Sequence, residues 1–211
     1  MTSAASSAGG PSGPEELDLN ACIELSRDLA ARVRDSGFKP TLVVGIREGG
    51  ALPAMAVARE LGARVELILV QRSGSGIKHT RLGRLASRLL AAPYRRFYWF
   101  RRLTELAWRG GSHRVATVPT SGQVRDERIL VVDDFSSSGG TLQRTAQALA
   151  GQGATDLKTA VLTFLPGRGP IQCTPDITVC QKWLTFAWSA HSPHYPAFQR
   201  WMREQSPGNT G

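Results

Sequence analysis

No run in this 211-residue chain approaches the roughly 20 apolar residues that a helix needs to cross a bilayer, which excludes a polytopic membrane protein on sequence grounds. Cysteine is scarce. Cys22, Cys173 and Cys180 are an odd number without CxxC spacing, so a disulfide framework is excluded and reduced thiols, hence a cytoplasmic protein, are expected. With His191 and His194, Cys173 and Cys180 match no common zinc spacing and read as ordinary thiols and loop histidines. Residues 1–16 lack both a basic start and an apolar run; this Ser/Ala/Gly/Pro stretch is no secretory leader and is expected to be a disordered tail, as are residues 206–211.

Acid is nearly missing from one segment. Between Gln71 and Arg114 there are eleven Lys or Arg against the single acid Glu105, so the whole of the net charge of +9 resides there. The rest of the chain has the balance of an ordinary enzyme, and any argument about a polyanionic partner belongs to that segment alone. Two basic amphipathic helices are expected in it, 80–90 and 94–108, the second carrying Phe97, Tyr98, Trp99 and Phe100 among arginines. Three roles stay open: a helical hood over the site or a partner subunit, a face for an anionic membrane surface, and single-stranded nucleic acid, for which no recognition motif is present.

Residues 17–205 read as one domain with that segment, 71–114, inserted. Asn20 is expected to cap a helix with Ile23, Leu25, Leu29, Ala30 and Val33 at helical spacing, ending at Ser36-Gly37. Strands are expected at 41–45, 65–70, 128–132 and 157–165, helices at 53–61 and 141–150, and a hairpin-like stretch at 115–124. Alternation of strands and helices implies α/β architecture, a parallel sheet with flanking helices and ligands at the carboxyl ends of the strands.

The chemistry concentrates in Ile129 to Thr141, a buried strand that runs into Asp133 and Asp134 and then into small hydroxyls and glycines opening a helix. Gly139 and Gly140 let backbone N–H groups close round a phosphate. The helix beginning near Thr141 adds its positive end, and Ser136, Ser137, Ser138 and Thr141 add hydroxyl donors. Adjacent carboxylates suit vicinal ribose hydroxyls and can help hold magnesium, often through water.

These thirteen positions resemble the phosphoribosyl-pyrophosphate signature of type I phosphoribosyltransferases, with Ser136 where the family usually has an aliphatic residue. Val44 to Ala54 is similar to the family's pyrophosphate loop and following helix, placing Arg47, Glu48, Gly49 and Gly50 at the pyrophosphate. Lys182 to Trp188 resembles the segment where purine-salvage members stack the base, placing Lys182, Trp183 and Leu184 at the acceptor. The resemblance implies transfer of a 5-phosphoribosyl group between phosphoribosyl pyrophosphate and a nucleobase-like acceptor, as in nucleotide salvage. It implies Mg as cofactor on Asp133 and Asp134, Arg47 as a catalytic cation, and a possible homodimer.

The sequence departs from the 6-oxopurine members at three places. Ser137 stands where they carry an aspartate, Leu165-Pro166-Gly167 where they place a lysine, and Glu48 where Lys or Arg is common. A rival class is a protein that senses a phosphoribosyl ligand without turnover and docks through the basic insert.

Overall fold

In the computed structural model, the structure describes residues 14–47, 49–69, 124–167 and 169–205, without the Leu69 side chain. The expected basic hood, the hairpin-like stretch up to residue 123, and Glu48 lie outside the described residues.

The first long element is α1 (Leu19–Asp35), preceded by the short strand β1 (Glu15–Glu16). Asp18 caps α1, its Oδ1 accepting from the Ala21 N–H at 2.8 Å, so the cap lies two residues before the expected Asn20, which is inside the helix. Cys22, Ser26, Leu29, Ala30 and Val33 form its buried stripe, and Gly37 closes it at φ +74°. Then follow β2 (Leu42–Arg47), α2 (Ala51–Leu61), β3 (Arg64–Leu69), β4 (Arg128–Ser136), α3 (Gly140–Gly151), β5 (Asp156–Phe164), β6 (Ile177–Cys180), β7 (Leu184–Thr185) and α4 (Tyr195–Glu204). The last of these was not expected from the sequence.

Five strands form one sheet in the order β3-β2-β4-β5-β6, and the ladders β2–β4, β4–β5 and β5–β6 are all parallel. Parallel strands covered on both faces are continuously apolar, and Ile129 to Val132 and Ala160 to Leu162 are fully buried. Gly45 lets α2 lie close to the sheet, since a Cβ there would come within 2.6 Å of the Ala54 Cβ and 2.8 Å of Leu67. No described helix is long and apolar enough to cross a membrane.

Two boundaries shift for reasons that bear on the site. Strand β4 does not stop at Val132 but runs through both acids to Ser136, because β5 offers partners as far as Phe164: Asp133 pairs with Val161, Phe135 with Thr163 and Ser136 with Phe164. The tail boundary at Glu16 shifts too. Glu15 and Glu16 pair in parallel with Leu184 and Thr185, and Leu17 donates its N–H to the Thr185 carbonyl at 2.9 Å.

Candidate active site

At the carboxyl edge of the sheet the end of β4 turns into α3. Ser136 is buried and its Oγ accepts the Gly139 N–H at 3.1 Å, while Ser138 Oγ accepts the Gly140 N–H at 3.4 Å. Gly139 has φ +73°, a backbone shape that side chains rarely adopt, and a Cβ on it would run into the Cys173 carbonyl. The loop is braced from outside, because the N–H groups of Gln172 and Cys173 both donate to the Ser138 carbonyl, at 2.7 and 3.2 Å. Turning that carbonyl outward leaves a tight turn that leads directly into the first turn of α3, where Gly140 is buried and Thr141 half-buried. Ser137 is exposed.

The neighbouring strand β2 delivers the second loop. Arg47, its last residue, is exposed; Gly50 donates to the Ile46 carbonyl at 2.8 Å and opens α2. A Cβ on Gly50 would come within 2.5 Å of the Val132 carbonyl, and one on Gly49 would overlap the Asp134 carboxylate. The two glycines therefore bring the β2–α2 turn against the acids of β4.

Asp133 and Asp134 are half-buried. The Asp134 N–H donates to Asp133 Oδ1 at 3.0 Å, and Trp188 donates its indole N–H to Asp134 Oδ2 at 2.6 Å. Burial pushes the Asp134 carboxyl above the usual carboxylate range, with the Trp188 hydrogen bond opposing that shift. Paired carboxylate oxygens are hard donors of the kind magnesium takes, since that ion commonly uses one or two carboxylates and completes its shell with water and substrate phosphates. The donor set fits the ion. Among the described residues no group of three or more His, Cys, Asp or Glu is gathered for a metal.

In the 182–188 segment Trp183 is 44% exposed, and its ring meets that of Phe135, 37% exposed, edge to face at 6.0 Å and 61°. Trp183 is thus a surface ring and not a core one. Lys182 is exposed and its Nζ lies 3.6 Å from Glu15, while its backbone carbonyl accepts from the buried Thr163 hydroxyl at 2.7 Å. Leu184 lies in β7, half-buried. Trp188 stacks on the buried Phe186 at 4.8 Å and 5°, and meets Phe198 of α4 at 5.8 Å.

The structure therefore gathers Asp133, Asp134 and the Gly49–Gly50 turn, keeps Ser136 to Thr141 in one loop, and places Lys182 to Leu184 on their own strand-edge segment. Sequence reasoning missed Phe135, the tie of Trp188 to Asp134 and the Gln172–Cys173 brace. Phe135 was visible as an aromatic inside the acidic motif; for the other two, only long-range packing carries the signal.

The arrangement has counterparts among known proteins. The model of the phosphoribosyl transferase domain family matches residues 16–193. An adenine phosphoribosyltransferase of Frankia alni is 32% identical over 167 residues, covering 76% of this chain and 71% of that protein. One from Natranaerobius thermophilus is 30% identical over 135 residues, covering 63% and 65%. The fold is that of a purine phosphoribosyltransferase from Pyrococcus horikoshii Ot3, with a TM-score of 0.58 and 24% identity over 82% of this chain and 92% of that one. With a family match over most of its length and the family's two loops meeting at Asp134, the chain belongs to the phosphoribosyltransferase family and is a transferase of that class.

Proposed function

We propose that the protein transfers a 5-phosphoribosyl group between phosphoribosyl pyrophosphate and a purine-like base, in nucleotide salvage. The observation that carries this reading is the meeting of the Gly49–Gly50 turn with the carboxylate of Asp134, at the strand end that opens into the Ser136–Thr141 loop. That loop takes the 5-phosphate on backbone N–H groups and hydroxyls at the start of α3. The acids Asp133 and Asp134 accept from the ribose hydroxyls, and Arg47 with the N–H groups of the glycine turn receives the pyrophosphate. Asp133 and Asp134 would also hold magnesium, which when bound neutralises charge on the pyrophosphate. Bond breaking at the ribose then depends on electrostatic preorganisation, and no side chain need act as a nucleophile.

For the acceptor, Phe135 and Trp183 offer exposed rings beside the ribose site, which suits a flat heterocycle. The relatives named adenine phosphoribosyltransferase make adenine the first base to test. The Leu165-Pro166-Gly167 stretch, without the lysine of 6-oxopurine enzymes, points the same way.

Pyrophosphate release on mixing with phosphoribosyl pyrophosphate, Mg and single purines should occur with adenine and less or not at all with hypoxanthine and guanine. The variant carrying Asp133→Asn with Asp134→Asn should bind no phosphoribosyl pyrophosphate in calorimetry. Unchanged affinity there would overturn the reading.

A further inference from the structure

The Asp134 carboxylate is held between two elements that the phosphate loop does not itself include. On one side is Gly49, whose missing Cβ makes room for it. On the other is the indole N–H of Trp188, 2.6 Å from Oδ2. A carboxylate turns easily about its last torsion, whose energy profile is broad, so a strand-borne aspartate alone leaves its oxygens poorly aimed. A donor on a rigid ring removes that freedom. Trp188 is such a donor, because its ring is stacked on buried Phe186 and backed by Phe198 of α4. An indole donates and never accepts, so it pairs with a carboxylate in one sense only. The hydrogen bond is short, as those to charged acceptors are.

We propose that Trp188 is a positioning residue for the donor site, its indole N–H fixing the plane of the Asp134 carboxylate against the Gly49–Gly50 turn. This rests on the reading of Asp133 and Asp134 as donor-site acids. Trp188 lies on the same 182–188 segment as Trp183, beyond β7. The segment that carries the acceptor ring thus also sets an acid of the donor site, and the two halves of the reaction share one support. Gly49 makes the contact specific, since any side chain at that position would displace the carboxylate that Trp188 holds.

The test is Trp188→Phe, which keeps an aromatic ring on Phe186 and removes only the N–H donor. Affinity for phosphoribosyl pyrophosphate with Mg, measured by calorimetry, should fall about tenfold, the scale of one hydrogen bond to a charged group, while the KM for the acceptor base stays within about twofold. Equal weakening of both ligands, or none of either, would overturn the proposal. A second measurement does not depend on how that variant folds. In ¹⁵N spectra the Trp188 indole resonance, identified by its contacts with the Phe186 and Phe198 rings, should move more than the other four indoles when Asp134→Asn is introduced; a resonance that stays put would also overturn it. The two readings can fail separately. Unchanged donor affinity in Asp134→Asn overturns the donor-site reading and the proposal with it, whereas loss there with no effect of Trp188→Phe overturns the positioning role alone.

Discussion

The β4–α3 loop and the 182–188 segment are held in place by opposite means. The first is continuous in sequence: acids, hydroxyls and glycines follow one another from Asp133 to Thr141, and backbone geometry does most of the holding, through hydrogen bonds such as Ser136 to Gly139. The second is held from a distance, by Glu15 and Glu16 on one edge, Thr163 beneath Lys182, and Phe198 behind Trp188. A phosphate is the same in every phosphoribosyl donor and can be met by a fixed local motif. An acceptor differs from one enzyme to the next, and under the proposed function the exposed ring of this segment, Trp183, can change without disturbing the motif, whereas Trp188 cannot.

The sharpest way to break this contrast is Gly139→Ala. The backbone at φ +73° and the nearby Cys173 carbonyl both reject a Cβ, so the loop must open and lose its brace. Several kcal/mol of combined strain and overlap, about a hundredfold or more, should fall on donor affinity alone. Comparable loss of acceptor affinity would show that the two regions are one mechanical unit. Next in size is Trp183→Ala. Loss of a stacked base should cost about 1–3 kcal/mol in acceptor affinity and leave the donor unchanged in the same titration. An unaffected acceptor KM would remove Trp183 from the site.

Asp134→Asn sharpens the comparison from the side of stability. Because burial raises the carboxyl's folded pKa above its unfolded value, the folded state takes up its proton at higher pH than the unfolded chain. Stability therefore falls as pH rises through that window, and at neutral pH the ionised form is a burden that asparagine removes while still accepting from Trp188. Thermal melts at pH 7 should place the variant above the parent, although under the proposed function it binds no donor. A lower melting temperature at pH 7 would contradict the sign.

The smallest effect lies at the far end of the sheet. The Thr41 hydroxyl, chief among the groups around it, lowers the Glu127 pKa, and Arg64 pairs with the same carboxylate. The stability this contributes is present above the ordinary carboxylate pKa and fades as pH falls through the lowered one. Thr41→Val should then cost about 0.5–1.5 kcal/mol at pH 7, less in strong acid, and leave both substrate affinities alone.

Legibility in the sequence followed the same divide. The alternation of strands and helices, and the loop from Ser136 to Thr141, could be read because each depends on neighbours along the chain, where periodicity and turn chemistry act. The extension of β4 through its acids could not be read, since it depends on how far β5 runs beside it. Asp18, and not the expected Asn20, caps α1, because both residue types suit the role and only the backbone places the first turn. Helix α4 escaped notice although Tyr195, Phe198 and Met202 recur at helical spacing: it is only ten residues long and none of them is buried. Trp183 and Trp188, five residues apart, look alike in sequence. One is exposed beside Phe135 and the other is tied to an acid, and nothing local distinguishes them.

The pairing of Glu15 with Leu184 also sets an order of events during synthesis. Strands β2, β4 and β5 emerge from the ribosome with their partners already in hand or soon to follow, whereas β1 waits for nearly the whole chain before its ladder can close. Long-range closure of this kind is slow compared with local pairing. A nascent chain would therefore own the Ser136–Thr141 turn before the edge that carries Trp183 is in place, and under the proposed function selectivity for the acceptor would be the last property the folding protein acquires.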